Sequence, residues 1–175
     1  MYDLERLHIV HYPDPRLREQ CKPVTQFDDG LAALAMRMLQ LMHEARGVGL
    51  AAPQVGILQR IFVMNHTGEP EDDRVVVNPV LHNPHGAAES TEGCLSIPGV
   101  SVKVRRAERI LLTGQDLRGQ PVEVPTEDLQ ARVCQHETDH LNGILIVDRM
   151  GPTDRIATRK TLRVLENTYR GKARR

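Results

Sequence analysis

The segment His136-Glu137-Thr138-Asp139-His140 sets two imidazoles four residues apart with a carboxylate between them. On a helix of ~3.6 residues per turn, positions i and i+4 lie almost above each other, so both rings can reach one metal ion. Glu137, about 100° round the axis, can reach a water beside that ion rather than the ion itself. This is the equipment of a metal-assisted hydrolase, provided a third ligand exists. Random placement of eight histidines and twelve glutamates in 175 residues would yield about 0.025 such pentapeptides. The competing reading is an amphipathic surface helix that happens to carry two histidines.

Catalytic zinc-type sites use three protein ligands and leave one position for water. A metzincin pattern would continue with a glycine and then a third histidine. Gly143 fits, but Ile146 stands where the histidine belongs. A thermolysin-like site would take a later glutamate, and Glu166 is the only one downstream, in a basic stretch between Arg163 and Arg170. Cys94, in Glu92-Gly93-Cys94-Leu95-Ser96, is the remaining candidate for a third ligand, since a thiolate with two imidazoles suits zinc or ferrous iron, although judged alone it reads as a buried hydrophobe. Gly93 beside it allows close backbone approach, and Leu95 offers a backbone N–H. The plain alternative for a free cysteine is a small buried hydrophobe, which is the reading for Cys21 and Cys134. Cys134 precedes His136 by two residues and faces away from it.

These residues need a scaffold, and 175 residues are enough for one domain with a real core. The net charge of +0 argues against a broad nucleic-acid footprint. Aromatics make up only 3% of the chain, with no Trp, so the core is expected to be aliphatic and methionine-rich. The start Met1-Tyr2-Asp3-Leu4-Glu5-Arg6 lacks the apolar stretch of a signal peptide, and no apolar run approaches the ~20 residues of a membrane span. Three cysteines cannot all pair and form no short secreted framework, which fits a reducing cytoplasm.

Along the chain, residues 1–27, with prolines at 13, 15 and 23, read as an extended arm. Asp28-Asp29 opens a helix with Leu31, Leu34, Met38, Leu41, Met42 and Ala45 at helical spacing, which Gly47 ends. Strands are expected over residues 60–64 and 74–78, around a polar turn, and over 100–104, 110–113 and 121–124, with a turn at 116–120. Thr126 is the expected N-cap of the His136 helix, which Asn142-Gly143 should stop. Gly151-Pro152 precedes a last helix and basic tail, 153–175. The class is α+β, with antiparallel strands wrapped around a central metal-binding helix.

Three segments in order resemble the peptide deformylase family of bacterial type: residues 47–54 (Gly-Val-Gly-Leu-Ala-Ala-Pro-Gln), residues 92–96 (Glu-Gly-Cys-Leu-Ser) and residues 135–141 (Gln-His-Glu-Thr-Asp-His-Leu). The arm 11–17 and the pair Asp148-Arg149 are similar to that family as well, so the resemblance spans nearly the whole chain. It implies Cys94, His136 and His140 as metal ligands, Glu137 as general acid/base, and Gln54 with the Leu95 backbone as stabilisers of a developing oxyanion. The implied reaction removes the N-formyl group from the initiator methionine of newly synthesised polypeptides and releases formate, by attack of a metal-bound hydroxide. The cofactor implied is one divalent metal per chain, Fe²⁺ physiologically, with Zn²⁺, Ni²⁺ or Co²⁺ able to occupy the same ligands.

Formyl is the smallest acyl group, so a tight pocket can select it. Gly47 and Gly49 fit such crowding, and exposed backbone there could pair with an extended substrate. The methionine pocket is expected to be lined by Val48, Leu129 and Val133, with Glu92 near its rim. Two departures from the family pattern stand out: Val104-Arg105-Arg106 replaces a Val-Pro-Arg triplet, and Ser101 occupies a position where some members carry an arginine. Arg106 is expected to pair with a structural carboxylate. The tail carries an excess of arginine and lysine over acid, with Ile156, Leu162 and Leu165 as its anchoring residues. It reads either as a solvated face or as a transient ribosome contact. The remaining expectations are nascent N-formylmethionyl chains as partner, no membrane association, a monomeric state and a cytoplasmic location.

Overall fold

Helix α1 (Asp29–Glu44) starts where the sequence puts it. Asp28 is extended, and its Oδ1 accepts the Leu31 N–H at 2.9 Å, satisfying a donor the helix cannot use itself. Leu31, Leu34, Met38, Leu41 and Met42 form its buried face, whereas Ala45 is exposed. The helix ends one residue earlier than expected, in left-handed Arg46 (φ 55°), and the Gly47 N–H closes the turn on the Met42 carbonyl at 2.9 Å. Gly47 is a glycine for another reason: a Cβ there would stand 2.6 Å from Leu95 Cδ1. The computed structural model describes residues 2–173; Met1 of the arm and Arg174 and Arg175 of the basic tail lie outside the described residues.

Seven strands follow: β1 (Gly49–Ala51), β2 (Ile61–Met64), β3 (Arg74–His85), β4 (Ala88–Gly93), β5 (Ser101–Arg106), β6 (Arg109–Gln115) and β7 (Pro121–Glu127). All named pairings are antiparallel, in a five-stranded sheet of order β1-β2-β3-β6-β7 and a two-stranded sheet β4-β5. Helix α2 (Asp128–Leu141) leaves β7 directly, and α3 (Ile146–Arg149) and α4 (Pro152–Ala173) complete the α+β fold.

The two helices α1 and α2 cover opposite faces of β2. Ile61 and Val63 pack with Leu34, Met38 and Met42 of α1, while Phe62 and Met64 pack with Ala131, Val133 and Cys134 of α2. This explains why residues 61–64 are uniformly apolar instead of alternating. Each such side chain contributes roughly 1.5–3 kcal/mol by full burial. Strand β5 has one covered face, so Val102, Val104 and Arg106 point in while Ser101, Lys103 and Arg105 are exposed. Its valines pack with Leu145, Ile146, Val147 and Met150, and with Leu162 and Leu165 of α4. Ile156, expected to anchor α4, is 79% exposed and lies on the outer side.

Several expectations change in detail. Strand β3 runs far past residue 78 despite Pro79 and Pro84. Asn78 (φ 50°) and Asn83 (φ 51°) sit at the register shifts that carry the pairing past the prolines. Asn78 is held by Val24 N–H (2.8 Å to its Oδ1) and donates to the Gln115 side chain (2.8 Å). Thr126 does not cap α2: it is still in the β7–β6 ladder, opposite Ile110, and donates its hydroxyl to the Ile110 carbonyl at 3.2 Å. Glu127 takes the N-cap position without a side-chain hydrogen bond. The α2 stop agrees with the sequence: Gly143 is left-handed (φ 72°), and the Ile144 N–H reaches the Asp139 carbonyl at 2.9 Å.

The arm is extended apart from 3-10 turns at Leu4–Arg6 and Pro15–Arg18. It binds the backbone beneath the three motifs: Val10 N–H to Gln54 O (2.8 Å), Tyr12 N–H to Ser96 O (2.8 Å) and Cys21 N–H to Leu141 O (2.9 Å).

Candidate metal centre

On α2, His136 and His140 stack along one face with ring centroids 5.0 Å apart. The turn after β4 brings Cys94 against them, with Sγ 3.3 Å from His140 Nε2. One donor atom from each of Cys94, His136 and His140 falls within a 4.8 Å group. Three donors this close, one soft and two imidazole, match the requirements of a tetrahedral divalent site with an open position. Glu166 takes no part: its carboxylate accepts from the Tyr12 hydroxyl at 3.0 Å.

Neighbouring charges favour a cation here. His136 Nδ1 meets Glu92 Oε2 at 3.0 Å, which leaves Nε2 for the ligand side. Burial alone would push His136 down, but hydrogen bonds with Cys94 and Glu92 outweigh it and lift it to about 10. His140 moves the other way: burial, together with the charge of His136, keeps it well below its ordinary value and neutral, the form a metal needs.

Glu92 was expected at a pocket rim, but it is buried behind His136. Its oxygens accept Arg106 Nε at 2.6 Å, Arg106 Nη2 at 2.9 Å and Arg132 Nη1 at 2.7 Å, besides facing His136. Burial pushes its carboxyl up, yet the hydrogen bonds from His136 and Arg106 win and hold it well below the usual carboxylate range. Arg106 also donates to Asp139 at 2.8 Å, and Arg149 closes on the same carboxylate. Both departures are thereby located: Arg106 pairs with carboxylates as expected, while Arg105 and Ser101 are exposed on β5. This network fastens the β4-β5 sheet to α2 by charge rather than by apolar packing. Sequence spacing gave no sign of it, since its members come from four separate elements, β4, β5, α2 and α3.

Glu137 is buried against β1. A Cβ on Gly49 would overlap its Oε1 and approach its Cδ to 2.9 Å, so only glycine leaves room for the carboxyl where it stands. Glu137 Oε2 has no hydrogen-bond partner among the described residues, and burial pushes the carboxyl up to about 7. Gln54 is oriented by its own 3-10 turn (Ala52–Val55): its Oε1 accepts the Ala51 N–H at 2.7 Å, which turns Nε2 towards Cys94 Sγ (3.6 Å) and Ser96 Oγ (3.3 Å). Gln54 thus caps its own turn through Oε1 while its amide N–H₂ faces the site. Cys134 lies on the far side, 3.7 Å from Met64 Sδ, and burial raises its thiol to about 12; burial likewise raises Cys21 to about 11.

A cleft of about 430 Å³ opens over these groups. Its lining includes Val48, Gly49, Gln54, Glu92, Gly93, Cys94, Leu95, Leu129, Val133, His136 and Glu137, so the residues singled out from sequence share one cavity, except His140 beneath it. Val133 is buried, whereas Val48 (44%) and Leu129 (47%) form the open side. Among the described residues a Cβ on Gly93 would meet nothing nearer than 3.9 Å, so packing does not demand glycine there. Arg46, Ile97, Val100 and Ser101 also line the cleft and had not been singled out as its lining. Arg46 is a loop position, and the alternation over 100–104 marks a strand but not a cavity wall.

Comparisons with known proteins agree with this geometry. The sequence model of the family described as polypeptide deformylase matches residues 6–156. A peptide deformylase of Thermotoga sp. (strain RQ2) is 46% identical over 91% of this chain and 96% of its own. The crystal structure of a peptide deformylase from Legionella pneumophila superposes with a TM-score of 0.86 at 42% identity, over 97% of this chain and 98% of that one. A Plasmodium falciparum peptide deformylase structure gives 0.90 at 37% identity, covering 93% and 97%.

Proposed function

The chain belongs to the polypeptide deformylase family of hydrolases, which remove the N-formyl group from nascent peptides, and from this premise we propose that it does so as a metalloenzyme in which Cys94, His136 and His140 hold one divalent ion and Glu137 moves the protons. The observation carrying the proposal is the meeting, in one cleft, of three ligand atoms within 4.8 Å and a buried carboxylate with an unpartnered oxygen. Cysteine and histidine donors suit Fe²⁺ or Zn²⁺, and the resemblance favours iron. When bound, the ion would acidify a water and polarise the formyl carbonyl.

The chain's own residues do the rest. Glu137, raised by burial to about 7, accepts a proton from the attacking water near neutral pH and returns it to the amine that leaves. Negative charge then grows on the formyl oxygen. Gln54 Nε2, fixed by its turn, and the Leu95 N–H, which has no partner among the described residues, donate to it. Gly47 and Gly49 keep the wall flat for an extended peptide on the free edge of β1, and Val48, Leu129 and Val133 accept the methionine side chain.

We further propose that the protein works where translation supplies its substrate, as a cytoplasmic monomer. No helix among the described residues is long and apolar enough to cross a membrane. The exposed face of α4 carrying Ile156, Arg159, Lys160 and Arg163 is suited to a transient ribosome contact. The function is tested by formate release from a formyl-Met-Ala-Ser peptide beside its acetyl counterpart. The proposal expects release from the formyl peptide alone. No release by protein carrying one metal per chain would overturn it.

A further inference from the structure

Among the described residues two arginines line the cleft, and their situations differ. Arg132 is fully engaged: it donates to Glu92 Oε1 (2.7 Å), Val104 O (3.0 Å) and Ala88 O (2.9 Å). Arg46 is exposed and, among the described residues, its side chain makes no hydrogen bond or ion pair. The acid nearest in sequence, Glu44, accepts from Gln40 at 2.8 Å and faces Arg37 at 3.8 Å.

The backbone aims this residue. Arg46 is the left-handed cap of α1, with its N–H on His43 O at 2.9 Å and the next N–H on Met42 O at 2.9 Å. Glycine is the residue usually chosen for that conformation, because it carries no Cβ penalty. The chain instead sets a long cation there, one residue before the glycine that packs on Leu95 and two before Val48. The acids of the cleft do not offset it: Glu92 is consumed by Arg106, Arg132 and His136, and Glu137 is buried. Among the described residues the mouth therefore presents one uncommitted charge, and it is positive.

We propose that Arg46 is a specificity-determining residue that recognises a carboxylate on the peptide shortly after the formylmethionine. The inference rests on the deformylase reading above and adds to it a substrate preference. The carboxylate can be an Asp or Glu side chain at the second or third residue, or the free C-terminus of a short peptide. An exposed ion pair of this kind changes kcat/KM by roughly two- to five-fold. The change falls in KM with kcat unaltered, because the contact is the same in ground and transition states. It weakens as salt is raised, since the Debye length shortens to about 3 Å at 1 M.

The test uses the metal-loaded full chain and amidated peptides: formyl-Met-Ala-Ser, formyl-Met-Asp-Ser, formyl-Met-Ala-Asp and formyl-Met-Lys-Ser, with unblocked formyl-Met-Ala-Ser as a further arm. The expected result is an acidic-over-neutral ratio of roughly two to five, lost in Arg46→Gln, inverted in Arg46→Glu and retained in Arg46→Lys. All three variants keep a non-glycine residue at the left-handed cap, so a change of ratio reports charge and not the helix end. The side-chain and C-terminal sources separate by which peptide shows the preference. Equal kcat/KM for acidic, neutral and basic peptides in the unaltered protein would overturn the inference while leaving deformylation intact. Absence of turnover on every formyl peptide would instead overturn the underlying reading.

Discussion

Replacing Gly49 by alanine separates the fold of this protein from its chemistry. The new Cβ would stand 2.9 Å from Glu137 Cδ and 2.9 Å from Val133 Cγ1. Carbon atoms in contact prefer about 3.5–4.0 Å, so the Glu137 carboxyl must retreat by about 0.6–1.1 Å. Overpacking of this kind costs roughly 1–3 kcal/mol of stability, at the low end where a side chain can swing aside. The catalytic cost is expected to be larger, because a misplacement near 1 Å reduces turnover about 100-fold. Metal content should stay at one per chain, since Cys94, His136 and His140 are untouched. The assay combines a melting curve, metal analysis and formate release from a formyl-Met peptide under anaerobic conditions. A Gly49→Ala protein that is folded, metal-loaded and fully active would refute the argument that Glu137 must lie where the structure has it.

Three further outcomes are expected. Glu92→Gln removes the charge shared by His136, Arg106 and Arg132; stability should fall by about 3–5 kcal/mol and metal affinity by roughly 10- to 100-fold, read by denaturant unfolding and competition with a chelator. Gly143→Ala forces a left-handed alanine whose Cβ would stand 2.7 Å from the Arg18 carbonyl carbon; a loss above about 1 kcal/mol is expected, and an unchanged midpoint would count against this account of the α2 stop. Gly93→Ala meets nothing nearer than 3.9 Å within the protein, so its melting temperature should hold while KM for formyl peptides rises; the idea fails if KM stays constant.

Chemistry proved more legible than scaffold. His136, Glu137 and His140 declare themselves because a helix turns local spacing into common direction. Cys94 and Gln54 needed the ordered motifs, since nothing in their own periodicity joins them to α2. Helix α1 was readable from its N-cap and apolar spacing, α2 from its histidine spacing and glycine stop, and β2 and β5 from β-branched runs. Strand β4 was missed because Glu89, Ser90, Thr91 and Glu92 carry no apolar alternation; β5 and the Arg106–Glu92 pair hold it in place. The far half of β3 was hidden by prolines that bulges accommodate. Thr126 misled because a good capping residue also suits a ladder, and the ladder had the closer partner in Ile110. Glu92 was placed at the cleft but its burial could not be read: a glutamate beside a glycine suggests a surface, and only the approach of two distant arginines shows why it is buried.

The central claim is a division of labour, with three residues holding the ion and Glu137 moving the proton. Measuring metal stoichiometry and formate release on the same preparation of Glu137→Ala tests it most directly. The account predicts one metal per chain, as in the unaltered protein, with turnover lowered by roughly 10²- to 10⁴-fold. Turnover within a few-fold of the unaltered protein would contradict it, and so would loss of the metal along with the carboxylate.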